Sequence, residues 1–480
     1  MFAAAAGLAA LATLAIVTQD QTALRASASD GAAQQAVLWQ GDLLEVRGRR
    51  LDHLQVYDHR RERAGYIRAT QVRTLDLQAD EAPQLLAVLR FLRDTPGAES
   101  LGIAYVAAYL KAAPANTIGA EPFDALGTMA ERLARRASSR QAGATVAAHL
   151  EVVANYGVRF TSYERDGVVQ LCYDGEAFGR VLAMGASAAS AEQRARAALA
   201  MTRHDCVDPA LRPLERRQLD AWRAEVLERV DTAAFATLNG PLKNRLRLRR
   251  AGVWSAIAFD RTRSGEPAQS AAQRAIDELA GVDKNELADE DLADYSEAAL
   301  RVGASRWAAE PASAALPAPG RLNISTQPGE PGQTCVLLTD AAHDARTPLA
   351  KRCTYGIVWA ASAMAEPGGQ ALALAVQPLA TWRELWVFRR QADGWAVDVL
   401  PPAASDPGLG YVEFAGWVPG AQKLLLAREA RTDGRFKRSF EVLSLATLNV
   451  EKQASTPSLL VLFGKWQDAA WKRSTLSLRL

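Results

Sequence analysis

The feature that most constrains this chain is a series of short apolar runs that starts at Tyr355. It reads YGIVWAASAM, QALALAVQP, RELWVFRRQ, GWAVDVLPP, YVEFAGWVPGAQKLLLAREAR and RSFEVLSL, each run broken by Gly, Pro, Asp or Asn before it reaches helical length. Short runs bounded by turn residues predict strands, and here the pattern comes twice. Gly356-Ile357-Val358-Trp359 aligns with Phe414-Ala415-Gly416-Trp417, Leu372–Val376 with Leu424–Arg428, and Leu385–Phe388 with Phe440–Leu443, at offsets of 58, 52 and 55 residues. The stretch is also rich in aromatic side chains: seven of the eleven Trp lie between Trp359 and Trp471. Residues 334–480 therefore predict an all-β module built from a repeat.

A repeat of about 50 residues with three or four short strands is the pattern of a propeller blade or a related radial sheet. The turn Trp417-Val418-Pro419-Gly420-Ala421-Gln422-Lys423-Leu424 resembles the turn in blades of TolB-like propellers. Two copies fall short of the roughly four blades that a closed propeller needs. Either strands at 334–340, 459–463 and 474–479 complete a smaller sandwich or barrel, or the blades stay open and need a partner. Trp359, Trp386 and Trp417 are expected in the core. On a strand, Trp382, Glu384, Trp386 and Phe388 share one face and Arg383, Leu385 and Val387 the other. Trp382 is the expected exposed aromatic, and Trp382, Arg383 and Trp395 are the candidate binding residues of this module.

At the other end, residues 13–77 again show short alternating strands with Gly and Asp turns, the pattern of a small barrel. A strand ending in Leu24-Arg25-Ala26 is followed by a Ser/Gly-rich loop. Then come Trp39-Gln40-Gly41-Asp42 before a strand from Leu43 to Arg47, then Leu54-Gln55-Val56-Tyr57, then Gly65-Tyr66-Ile67. This order and spacing resemble a bacterial SH3 domain, in which the last triplet is usually Gly-Trp-Val, so Tyr66 is a departure. The resemblance implies binding to cell-wall peptide or another extended ligand, with Trp39, Tyr57 and Tyr66 as candidate contacts. Eight Arg and five acids between Gly41 and Leu75 make the module locally basic. The turn His59, Arg60, Arg61 and Arg63 is read as a solvated hairpin tip.

Between these ends, residues 80–315 change from a period of two to one of 3.6. Leu85, Leu86, Leu89 and Leu92 form a stripe, and further stripes lie in 98–112, 121–154, 190–203, 215–235 and 288–303. This predicts a mainly helical domain, interrupted by a β-hairpin from Val158 to Tyr173 around Arg165-Asp166-Gly167. Residues 316–333, rich in Pro and Gly, are the expected linker to the β-module. The fold class is thus multidomain α+β: a small SH3-like β-barrel, an α-helical middle domain with one β-hairpin, and a C-terminal all-β module of propeller-blade-like repeats.

The four Cys fall into two local pairs, Cys172/Cys206 and Cys335/Cys353, with no CxxC and no metal-ligand spacing. In an exported protein they predict two disulfides. One would staple the hairpin to a helix across a loop of about 34 residues, worth a few kcal/mol; the other would fasten the first strand of the β-module to the one that opens the first repeat. Export is suggested by residues 1–12, whose Phe2–Ala12 is the length of a secretory h-region, with Ala10-Leu11-Ala12 fitting a cleavage site and a basic n-region missing. The uncharged run stops at Asp20, near the lower limit for a membrane span, so no integral span is expected in the mature chain. The expected location is periplasmic or secreted, in a bacterium.

With 56 basic and 54 acidic residues, no global field draws the chain to nucleic acid. The basic strip Lys243, Arg245, Arg247, Arg249, Arg250 is read as a solvated face, whether helix or strand, and the acidic run Asp283–Asp294 as a helix start rather than a calcium loop. GxSxG, HExxH, P-loop and GxGxxG motifs are absent, and no cofactor or metal is called for. The sequence reading is a non-catalytic envelope protein that binds cell-wall peptide or an envelope protein. Its alternatives are an envelope hydrolase using paired carboxylates, with Glu384, Glu413 and Glu429 the residues to watch, and a cytosolic scaffold if 1–12 is not a signal.

Overall fold

The computed structural model describes residues 13–140, 142–165, 167–310, 322–404 and 407–474; the side chains of 470, 473 and 474 are left aside. The signal-like segment 1–12, Asp166 of the hairpin turn, residues 316–321 of the linker and residues 475–479 of the expected last strand lie outside the described residues. The chain is mixed α+β, with helices in the middle and a β-rich C-terminal region. It divides into two compact units: Met1–Leu211 with Val226–Leu238, and Arg212–Glu225 with Asn239–Leu480.

The first unit opens with seven strands: β1 (Leu14–Val17), β2 (Thr22–Arg25), β3 (Gln34–Leu38), β4 (Leu43–Arg50), β5 (His53–Asp58), β6 (Arg63–Arg68) and β7 (Val72–Leu75). They form one sheet in the order β3-β2-β6-β5-β4-β1-β7. Alternation sends Ala15, Val17, Leu24, Leu38, Leu44, Leu54, Val56 and Ile67 into one apolar core. Ile16 points the other way and joins Leu75 against Leu85, Leu92 and Tyr105 of helices α1 (Ala82–Arg93) and α2 (Glu99–Ala112). The turn before β4 needs glycine: Gly41 has φ +93, and a Cβ there would lie 2.6 Å from the carbonyl oxygen of Ser100 in α2.

The stripe expected over 121–154 is two helices, α3 (Glu121–Ala137) and α4 (Ala144–Ala154). The hairpin is β8 (Phe160–Arg165) with β9 (Val168–Tyr173). Two short helices, α5 (Glu176–Ala183) and α6 (Ala191–Met201), then lead to Cys206, which is bonded to Cys172. Helix α7 (Pro213–Glu228) runs from the second unit into the first, and α8 (Thr232–Thr237) belongs to the first.

The second unit contains α9 (Gly240–Arg263), α10 (Gln269–Ala280) and α11 (Leu292–Ser305). The basic strip lies in α9, and two of its five residues are not simply solvated. Arg250 is buried, and Arg245 Nε donates to Asp291 Oδ1 at 2.8 Å while its Nη2 reaches Glu290. Asn244 exchanges two hydrogen bonds with the backbone of Asp283, at 2.8 and 3.0 Å. Arg245 of the basic strip is thus paired with two acids of the acidic run.

Three layers of strands follow. A three-stranded sheet holds β10 (Asn323–Pro328), β11 (Thr334–Thr339) and β12 (Ala350–Thr354). A nine-stranded sheet holds β13 (Ile357–Val358), β14 (Met364–Ala365), β15 (Ala371–Leu379), β16 (Trp382–Gln391), β17 (Gly394–Leu400), β18 (Leu409–Val418), β19 (Lys423–Thr432), β20 (Arg435–Ser444) and β21 (Val450–Ala454). Its two halves are four-stranded antiparallel meanders, β13-β15-β16-β17 and β18-β19-β20-β21, matching the two copies in the sequence. They join through a short parallel pairing of Trp382 and Arg383 with Gly410 and Tyr411. No closed barrel or propeller is formed by the hydrogen-bonded strands among the described residues.

The layers stack through alternation. Leu372, Leu374, Val376, Trp386 and Phe388 face Val336 and Leu338 of the small sheet. Ala371, Ala373, Leu385 and Val387 on the opposite face meet Val412, Leu424, Leu426 and Leu443 of the second meander. The second meander's other face, with Ala415, Leu425, Ala427, Phe440 and Val442, is covered by Leu460, Phe463 and Trp471. The expected strand at 459–463 is therefore corrected: α12 (Val461–Trp466) and α13 (Ala469–Ser474) are helical caps on that face. A five-residue apolar run does not separate strand from helix by itself, and here Leu460 and Phe463, three apart, are the buried pair. Cys335 and Cys353 are bonded across directly paired positions of β11 and β12, so this bridge lies within the small sheet and not between it and the first meander.

Candidate functional site

The richest chemistry in the β-module sits at the start of β18. Period-two alternation puts Tyr411, Glu413 and Ala415 on one face of that strand, and the register places Glu429 of β19 opposite Tyr411. The parallel pairing with β16 sets Arg383 beside Tyr411. Arg306 enters from the short turn Arg306–Ala309 that follows α11. Trp471 comes from α13, whose approach depends on a β-bulge at Gly416. That residue has φ +149, and a Cβ there would lie 2.5 Å from the carbonyl oxygen of Trp466. Next to the bulge, Ala415 O accepts from Asp468 N at 2.7 Å and ties the C-terminal helix down.

These elements converge on Glu413. Its Oε1 accepts from Arg306 Nε at 2.5 Å and from Arg383 Nη2 at 2.7 Å, and its Oε2 accepts from Trp471 Nε1 at 2.9 Å. All four side chains are buried, Arg383 completely. Burial pushes the Glu413 carboxyl up, but the Arg306 and Arg383 guanidiniums outweigh it and hold the group at about 2. Glu429 goes the other way: burial lifts it to about 7, although the Tyr411 hydroxyl donates to its Oε2 at 3.0 Å and Arg438 lowers it. Burial raises the Tyr411 hydroxyl well above its ordinary range. Arg383 also stacks over the Tyr411 ring at 5.2 Å, while its Nε and Nη1 have no hydrogen-bond partner among the described residues.

Beside this cluster lies a cavity of about 530 Å³. Arg306, Glu310, Glu413 and Asp468 supply its charges, and Trp307, Met364, Leu385, Val412, Phe414 and Trp471 its apolar walls. The Arg306 guanidinium lies 4.2 Å from the centre of the Trp307 ring. Among the described residues no group of three or more His, Cys, Asp or Glu is arranged to hold a metal ion.

The residues singled out from the sequence fall in several places. Trp382 is 1% exposed and Arg383 0%, so the expectation of an exposed aromatic at 382 is corrected. The physical reason is that β16 is an inner strand, paired on both edges and covered on both faces. Trp395 is half-buried in β17 and packs into the layer shared with the small sheet. Trp359 is buried, with Nε1 donating to Gln377 Oε1 at 3.1 Å. In the first unit, Trp39 meets the His149 ring edge-on at 6.4 Å, and the Trp39 backbone N–H donates to Asp42 Oδ2 at 3.0 Å. Tyr57 and Tyr66 are half-buried, and the β5–β6 register puts them on one face of the sheet. Arg47 lies 4.0 Å over the Tyr57 ring. In the hairpin tip, Arg61 is not simply solvated: its Nη1 donates to the buried Asp58 at 2.7 Å, and Arg60 Nη2 donates to Glu151 of α4 at 2.8 Å.

Of the three acids to watch, the structure brings Glu413 and Glu429 to one face of the second meander, and β16 places Glu384 on the strand face opposite to that of Arg383. Arg306 escaped the sequence reading. It follows a helix in the string SRWAAE, with no spacing that ties it to a strand more than a hundred residues later. No family model, curated protein or solved structure matches this chain.

Proposed function

We propose that the chain is an exported bacterial envelope protein that binds cell-wall peptide or a protein partner without transforming it. It would do so through an SH3-like N-terminal module and a Trp-rich, blade-like β-module. Several features support this reading. The seven short strands carry the Trp39–Asp42 turn and the Gly65–Ile67 triplet at the spacing of that family. Two four-stranded meanders pack face against face, as neighbouring blades do. Both cysteine pairs are bonded, which fits an oxidising compartment. No described helix is long and apolar enough to cross a membrane.

One observation carries the choice of binding over turnover: the buried carboxylate of the cavity is locked in its ionised form by two guanidiniums. A general acid works best with a pKa near the working pH, and Glu413 at about 2 is far from that. Glu429, whose pKa is near 7, is not among the residues that line the cavity. The cavity suits holding a ligand.

Retention of the purified full chain on isolated cell wall tests the reading, with release of soluble glycan and peptide fragments followed in parallel. Retention without release is expected; release of fragments without retention would overturn it. Mass spectrometry of thiols trapped in intact cells tests the compartment. Cys172, Cys206, Cys335 and Cys353 should be unreactive, and four free thiols would remove the exported reading.

A further inference from the structure

We infer that the cavity beside Arg306 receives a ligand that ends in a carboxylate and has an apolar or aromatic body, a free amino acid or the C-terminus of a peptide, with Arg306 as its anchor. The inference deepens the proposed binding role of the β-module and rests on it.

The geometry of charge points this way. Two buried guanidiniums, Arg306 and Arg383, both hydrogen-bond to one oxygen of one carboxylate, and the other oxygen is taken by Trp471. One positive charge in this cluster is therefore not matched by Glu413. Among the described residues neither guanidinium is within ion-pair distance of another carboxylate, and Glu429 is occupied by the Tyr411 hydroxyl and has Arg438 opposite it in register. A buried charge without a counter-charge is costly and is normally answered by a partner. Arg306 offers the means. It uses Nε for Glu413, and no hydrogen bond among the described residues uses its Nη1 or Nη2, while the residue lines the cavity.

The shape of the anion also follows. A guanidinium fork fixed through Nε and stacked on Trp307 presents planar paired donors, the geometry that matches a carboxylate. Glu310 and Asp468 line the same cavity and would repel a dianion such as phosphate, whereas they attract an ammonium group on a zwitterionic ligand. Phe414, Trp471, Met364 and Leu385 supply the apolar walls. A volume of about 530 Å³ lies within the range that holds small ligands.

Equilibrium dialysis of the full chain, read by mass spectrometry, tests this. One chamber set holds a mixture of unblocked dipeptides, a second the same dipeptides as C-terminal amides, a third free amino acids and a fourth inorganic phosphate. Free-acid dipeptides or amino acids should be enriched, with the matching amides weaker by about tenfold or more, the scale of one charge-assisted hydrogen bond. Arg306→Lys keeps the charge but loses the fork and should weaken binding by a similar factor, with thermal melts reporting whether the fold is kept. Ala361→Trp, at an exposed position on the cavity wall, should block binding without touching the buried cluster. No enrichment of any free acid, equal binding of acids and amides, stronger binding of phosphate, or full binding by the Ala361→Trp variant would each overturn the inference. Cell-wall retention separates the two levels. A chain retained on wall that enriches no free acid has the wrong ligand class for this cavity. A chain that enriches free acids but is not retained has the right cavity and the wrong wider role.

Discussion

The two meanders of the nine-stranded sheet share a strand order and a repeat, yet they bury different things. In the first, β15 and β16 sit between two apolar layers, and Leu372, Leu374, Leu385 and Val387 are at most 2% exposed. In the second, the face turned to the C-terminal helices carries Tyr411, Glu413 and Glu429 beside Phe440 and Val442. The difference begins in the first strand of each copy. β13 is two residues long, whereas β18 is ten, and its extra start pairs with β16 at Gly410 and Tyr411. At the 58-residue offset of the repeat, Tyr411 and Glu413 align with Cys353 and Tyr355, which fall in β12 and the turn after it. One copy thus keeps the shared unit as scaffold, and the other adds a strand extension that carries the polar cluster. Repeats place equivalent backbones; what is added at one end decides where chemistry can collect.

The largest test of this contrast removes the centre of the cluster. Glu413→Ala leaves two buried guanidiniums without their carboxylate and should cost about 3–5 kcal/mol, the scale of breaking a buried ion pair. Urea unfolding followed by Trp fluorescence measures it, and a loss below about 1 kcal/mol would show that the cluster is solvated rather than sealed. In the first meander, Leu374→Ala should cost about 2–5 kcal/mol through lost burial and a residual cavity. Both sites are buried, where salt screens little, so added salt should relieve neither loss by much.

The contrast also explains what could be read from the sequence. Leu372–Val376 and Leu385–Phe388 announced themselves as strands because alternation and turn residues agree, and their partners in the second copy followed from the offset. The disulfide pairs were legible because each joins residues close in sequence. The site was legible only in part. Glu413 and Glu429 stood out as acids inside apolar strands, but no local pattern says that Arg383 faces Tyr411, since that depends on a parallel junction between the copies. Standing at a strand start, Trp382 has the sequence pattern of an exposed aromatic, and the same junction buries it. Leu459–Phe463 carries no signal that separates a strand from a helical cap, and Arg306 depends on a contact across 107 residues.

Two carboxylates on one face should respond to pH in opposite senses, which sharpens the contrast with the apolar copy. Glu413, depressed to about 2, contributes stability that is present above its unfolded value near 4.5 and is lost as pH falls toward 2. Glu429, raised to about 7, binds its proton more tightly in the folded state, so stability falls as pH rises from about 4.5 through 7. A shift of that size corresponds to about 3 kcal/mol. Glu429→Gln should therefore stabilise the protein by about 2–3 kcal/mol at pH 8 and by much less at pH 5. Stability measured across that interval checks this, and an equal effect at both values would mean that Glu429 ionises normally.

The smallest effect is expected at Trp382. Its Nε1 is buried with no hydrogen-bond partner among the described residues, and the ring is 1% exposed. Trp382→Phe removes that unsatisfied donor, which returns roughly 1–3 kcal/mol of desolvation cost, and it leaves a gap that costs a comparable amount. The two terms oppose, so the net change in unfolding free energy should lie within about 1 kcal/mol. Because the ring does not reach solvent, cell-wall retention should not change either. A clear loss of retention with stability preserved would mean that the edge of β16 opens to a partner, and the division between a scaffold copy and a site-bearing copy would then fail.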